Sequence, residues 1–108
     1  MTKAELRDHI ARNHLSILGP GGALNASDAE LIETVMDNCQ SELEQMETAL
    51  WDIEDLPAYA IESFGLYVRA SVNAFGFQPD YTAKAFALGA LRALTADTRA
   101  SVGTAEFF

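Results

Sequence analysis

Apolar residues recur along this chain at steps of three and four rather than two, a spacing that predicts helices and not strands. Leu6, Ile10, Ala11, His14, Leu15 and Leu18 mark a first amphipathic helix over residues 3–18, stopped by Gly19-Pro20-Gly21-Gly22. Ser27, with Glu30 three residues on, has the form of a capping box and predicts the start of a second helix there. Ile32, Met36, Cys39, Leu43, Met46, Leu50 and Ile53 then follow at steps of 4, 3, 4, 3, 4 and 3, a heptad-like stripe that strand geometry cannot produce. Asp55-Leu56-Pro57 is the next break, because proline is tolerated only in the first turn of a helix. The apolar residues of the third helix, Tyr59, Ile61, Phe64, Leu66, Tyr67, Val68, Val72 and Phe75, fall on nearly every face, so it is expected at the centre of the fold. Gly76 ends it and Pro79 opens a fourth helix, on which Tyr81, Ala85, Leu88, Leu91 and Leu94 share a face. After Thr95 the periodicity stops. The expected architecture is an all-α bundle of about four helices over residues 1–95, with an extended C-terminal arm over 96–108.

Composition supports one globular domain. A chain of 108 residues can bury roughly 65% of its unfolded surface, and 49% apolar with 21% charged residues is ordinary globular balance. No apolar run reaches the roughly 18–20 residues of a membrane span, and the first dozen residues lack the apolar stretch of a secretory leader. A lone cysteine, Cys39, excludes an internal disulfide and a multi-thiolate metal site.

The net charge of −9 is unevenly spread. Between Asn13 and Val68 there is no Lys or Arg, while the stretch carries Asp28, Glu30, Glu33, Asp37, Glu42, Glu44, Glu47, Asp52, Glu54, Asp55 and Glu62. Such a centre repels phosphate backbones and argues against a nucleic-acid grip. Glu30, Glu33 and Asp37 stand three and four apart, where like charges cost a few tenths of a kcal/mol each. Glu44, Glu47 and Asp52 lie toward the C-terminal end of the stripe, where the helix dipole favours cations. Local stability does not account for these acids. Solubility, a basic partner, or a surface that must not hold nucleic acid each would, and the sequence leaves the three open.

Candidate chemistry is sparse. His9 and His14 are five residues apart, about 500° of helical rotation, so on one helix they diverge by roughly 140° and do not form a metal pair. The carboxylates lack the Glu-x-x-His pattern of a di-iron bundle. Cys39 lies on the apolar stripe between Met36 and Leu43 and reads as core, as do Met36 and Met46. The Gly-Pro-Gly-Gly turn is not followed by the Lys, Ser or Thr of a phosphate loop. No catalytic, metal or cofactor site is expected, and no enzyme activity. Phe107 and Phe108, at the end of a polar arm, read either as a disordered terminus or as an anchor that fills a pocket on a neighbouring subunit.

A short helix runs into LGPGGALNASDAELIETVMDNCQSELEQM, then DLPAYAIESFGLYVRASVNAFGFQPDYTAKAFALGALRALTA, then an arm ending in AEFF. This order of parts resembles the head-to-tail adaptor proteins of tailed bacteriophages. The likeness rests on helix order, the Gly turn before Ser27, the Leu-Pro opening at Pro57, the Gly-Phe break at Gly76 and the aromatic end. It implies a virion protein made in the host cytoplasm, assembled as a homo-oligomeric ring, a dodecamer, in the neck between capsid and tail. Its partners would be the portal protein and a tail or stopper protein, with DNA passing through the ring unbound. The resemblance places portal docking on the arm, at Val102, Glu106, Phe107 and Phe108. Glu33, Asp37, Glu44 and Glu47 are the candidates for an acidic surface facing the DNA channel. The alternative is an acidic helical regulatory protein that binds a basic partner, as a nucleic-acid mimic or inhibitor.

Overall fold

In the computed structural model the described residues are 1–48 and 51–107, with side chains described as far as Leu94. They form four α-helices and one short 3-10 turn: α1 (Lys3–Asn13), α2 (Ala26–Gln45), the turn Ile53–Asp55, α3 (Ala58–Ser71) and α4 (Tyr81–Phe107). No strand occurs among the described residues, and the all-helical bundle is as the spacing predicts. No helix among them is long and apolar enough to cross a membrane.

Helices α1, α2 and α4 begin where a polar side chain takes up an orphan backbone N–H, whereas α3 follows Pro57 with no side-chain cap, and several boundaries differ from the expected ones. Thr2 caps α1 in a reciprocal box with Glu5, Thr2 Oγ1 accepting from Glu5 N at 3.2 Å and Glu5 Oε1 from Thr2 N at 3.0 Å. The cap of α2 is Asn25, not Ser27: Asn25 Oδ1 accepts from Asp28 N at 2.8 Å, and the Ser27 hydroxyl donates to that same oxygen at 2.9 Å. Asparagine caps at least as well as serine, and with Asp28 three residues on it starts the helix earlier. Asp80, rather than Pro79, caps α4, accepting from Ala83 N at 3.0 Å.

The helix ends are corrected too. The first helix stops at Asn13, not residue 18, because the chain turns through Ser16 at φ 55°; Leu15 and Leu18 still reach the core from the turn. The stripe on α2 holds for Ile32, Met36, Cys39 and Leu43, all buried, but the helix ends at Gln45. There Glu47 adopts the left-handed conformation at φ 53°, Thr48 N donates to Leu43 O at 2.8 Å and Glu47 N to Glu44 O at 3.0 Å. This is a Schellman closure, usually given to glycine. Met46 is left at the surface and Ile53 joins the 3-10 turn; Leu50 lies outside the described residues. Helix α3 ends at Ser71, short of Gly76, which with Phe75 makes the left-handed turn into α4. The Gly19–Gly22 segment is a tight turn closed by Gly22 N to Gly19 O at 3.0 Å, with Gly21 at φ 73°.

Helix α4 continues past Thr95 to Phe107, where the lost periodicity predicts an extended arm. Periodicity reports burial, not helix propensity. Ala96, Ala100 and Ala105 favour helix without an apolar face, and no proline interrupts them. The side chains of this segment lie outside the described residues, as does Phe108.

The core gathers Leu6 and Ile10 of α1, Ile32, Met36, Cys39 and Leu43 of α2, Phe64, Tyr67 and Val68 of α3, and Ala87 and Leu91 of α4. Helix α3 touches all three other helices and is central, as its all-round apolar pattern predicts. The buried face of α4 is Ala87 and Leu91, with Leu88 and Leu94 half-buried, whereas Tyr81 and Ala85 face outward.

Two glycines test this arrangement in opposite directions. A Cβ on Gly65 of α3 would sit 2.4 Å from Nε2 of the His14 ring, which occupies the space beside the backbone there. A Cβ on Gly89 of α4 would meet nothing within 4 Å. Urea denaturation should show Gly65→Ala destabilised by about 1–3 kcal/mol and Gly89→Ala stabilised by about 0.5–1 kcal/mol.

Candidate functional site

Three of the acids that look unopposed in the sequence meet Lys or Arg in space. Lys3 Nζ lies 2.7 Å from Asp37 Oδ1 and Arg7 3.5 Å from Glu33 Oε2, joining α1 to α2. Lys84 of α4 donates to both oxygens of Glu42 at 3.2 and 3.3 Å, and its ammonium stands 5.1 Å from the centre of the Tyr67 ring. The Asp37 carboxylate holds the Lys3 ammonium above its ordinary pKa. Glu33 and Asp37 are therefore bundle-joining residues, which the spacing along the chain does not reveal because their partners are 26 and 34 positions away. Glu44 accepts from Gln40 Nε2 at 3.2 Å, and Glu47 forms the left-handed end of α2. Both remain exposed. The four acids lie on or at the end of α2, but only Glu44 and Glu47 are spared an ion pair with α1.

The second surface is apolar. Between α3 and α4 a cleft of about 610 Å³ is lined by Leu66, Arg69, Phe77, Ala83, Phe86 and Ala90, among others. Phe86 is 78% exposed beside it, Leu66 47%, and Tyr81 at the head of α4 is 79% exposed. Arg69 closes one side, its guanidinium 5.3 Å from the Phe77 ring centre. Leu66 and Phe86 carry no signal in the spacing, because the same residues on another face of the helix would be core.

A third group contradicts the expected divergence of the histidines. The rings of His9 and His14 lie 5.9 Å apart, and Glu62 of α3 reaches both: its Oε1 is 2.6 Å from His9 Nε2 and its Oε2 is 3.0 Å from His14 Nε2. Five residues of helix would have separated the rings, but α1 ends at Asn13 and His14 is its C-cap, at φ −107°, ψ −38°. Asn13 Nδ2 lies 3.1 Å from His9 Nδ1 and donates to His9 O at 3.1 Å. His14 is only 7% exposed, and burial pushes its pKa below the ordinary histidine value. The hydrogen bond from His9 holds Glu62 below the usual carboxylate range. The contact between His14 Nε2 and Glu62 Oε2 is close but lacks hydrogen-bond geometry, so the buried Nε2 makes no hydrogen bond.

The expected docking residues Val102, Glu106 and Phe107 belong to the last turns of α4 by backbone, their side chains outside the described residues. Comparison with known protein families, characterised proteins and solved structures finds no match to this chain.

Cys39 is buried among core residues, which pushes its thiol up to about 11. The thiolate is the reactive form, so at pH 8 the folded protein should react with a disulfide reagent at least ~100-fold more slowly than the urea-unfolded chain. Equal rates in the two states would mean that Cys39 is open to solvent.

Proposed function

We propose that this chain is a structural subunit whose work is to dock against other protein subunits, and that it does so as a ring-forming connector of the phage-neck kind. The observation that carries this reading is the α3–α4 cleft, with Leu66 and Phe86 left exposed in its lining and Tyr81 exposed at the head of the same helix α4. Large aromatic side chains at a surface cost solvation unless a partner covers them, and they are the residues on which interfaces concentrate energy. A neighbouring copy of the chain would cover the cleft. The end of α4, carrying Phe107 and Phe108, would meet the portal protein, as the resemblance to head-to-tail adaptors implies.

The acidic face of α2 fits this role in a reduced form. With Glu33 and Asp37 neutralised by Arg7 and Lys3, Glu44 and Glu47 are left to turn phosphates away from a channel. The same pairing weighs against a regulatory nucleic-acid mimic, which needs a row of carboxylates free to meet a basic partner.

Negative-stain imaging of the protein mixed with the portal protein of the same genome should show a new ring layer with the portal's rotational symmetry. Phe86→Asp, at an exposed position, should keep the folded monomer and weaken ring formation by at least ~30-fold. Removal of residues 104–108 should abolish portal binding. A folded protein that adds no layer to the portal would sink the connector reading.

A further inference from the structure

We propose that His9, His14 and Glu62 form a binding site for a divalent transition-metal ion of the zinc class, which clamps the end of α1 to α3. One ligand atom from each of the three residues lies within 4.8 Å of the other two. In a tetrahedral site with bonds of about 2.0–2.1 Å, ligand atoms stand about 3.3 Å apart. The observed 2.6 Å from His9 Nε2 to Glu62 Oε1 and 3.0 Å from His14 Nε2 to Glu62 Oε2 need only small side-chain rotations to admit an ion among them.

The donor set chooses the metal. Two imidazole nitrogens and one carboxylate suit zinc and its neighbours, whereas calcium and magnesium prefer all-oxygen sites. Glu62 is largely exposed on its outer side, so water can supply the fourth ligand, the three-plus-water pattern of an open zinc site.

Two features point to a ligand rather than to an ordinary hydrogen-bonded cluster. First, His14 Nε2 faces the site from a side chain more than nine-tenths buried and makes no hydrogen bond, its one polar neighbour being Glu62 Oε2 at 3.0 Å, itself a ligand atom of the proposed site. Its ring is also fixed: it lies on the Gly65 backbone, where any Cβ would strike it. Second, His9 already has an outer partner, since the Asn13 amide sits 3.1 Å from its far nitrogen, Nδ1. With a metal on Nε2, Nδ1 carries the proton, and the amide turned over presents Oδ1 to accept it, giving up the contact of Nδ2 with His9 O. Arg69 on the same helix works against a cation here, with its guanidinium held at the Phe77 ring.

The ion would fasten the last turn of α1, from which the chain reverses at Ser16, onto the central helix. The test uses the full-length protein stripped with chelator and titrated with zinc chloride by calorimetry, with Co²⁺ as an absorbing probe. The expected result is one saturable site per chain, a melting temperature that rises with zinc, and a visible Co²⁺ band of low coordination number. Replacing His14 risks the fold because the ring is buried, so the decisive variants are His9→Gln and Glu62→Gln. Each should weaken zinc by about 100-fold or more, and Asn13→Ala by about 10-fold, the range for loss of a supporting group. No saturable site below about 1 mM zinc overturns the proposal, since structural and catalytic zinc sites bind far more tightly. Binding that is undiminished in His9→Gln and Glu62→Gln overturns it as well, because the ion would then be held by the general acidic surface.

Discussion

The structure depends on covering helix α3. Its apolar residues occupy more of its circumference than one neighbour can bury, so three helices must close around it, with Phe64, Tyr67 and Val68 buried in the shared core. The phenol and ring of these residues are nearly solvent-free, and each fully buried large side chain contributes about 1.5–3 kcal/mol. Close approach adds a second condition. Gly65 lets the His14 ring lie against the α3 backbone, which sets how near the end of α1 can come. The bundle, the ion pairs and the histidine cluster all follow from that approach.

How much of this is legible in the sequence depends on the range of the forces involved. The helices on the apolar stripe are legible because burial repeats with the helical period; Ile32, Met36, Cys39 and Leu43 could be placed from spacing alone. The helix ends are less so. Asn25 outcompetes Ser27 by a choice between two adequate caps, and the α2 end at Glu47 uses a left-handed residue that no glycine announces. Tyr81 fits the fourth-helix stripe by count, yet it is exposed because α4 meets α3 along Ala87 and Leu91 instead. Of the candidate sites, the acids could be named but not their partners. The histidine cluster is missed because the rotation argument assumes one continuous helix through His14, and because Glu62 joins it from 48 residues further on.

Charge is segregated along the chain and mixed in space. Lys3 and Arg7 precede the acidic stretch and Lys84 follows it, yet all three end on α2 carboxylates. Surface pairs of this kind contribute roughly 0–1 kcal/mol each, too little to hold the fold together. They do fix which faces meet, since α1 or α4 turned about its axis would leave acids beside acids.

That segregation has a counterpart in the chain before it folds. From Asn13 to Val68 the unfolded polypeptide carries acids and no Lys or Arg, so at low ionic strength it repels itself and stays expanded, short of compact non-native forms. The bases that relieve this repulsion sit on α1 and α4, and they reach it only when both outer helices have docked. The order of charges thus discourages a collapsed middle segment folded by itself, and it rewards the state in which the two ends of the chain have come home to the centre.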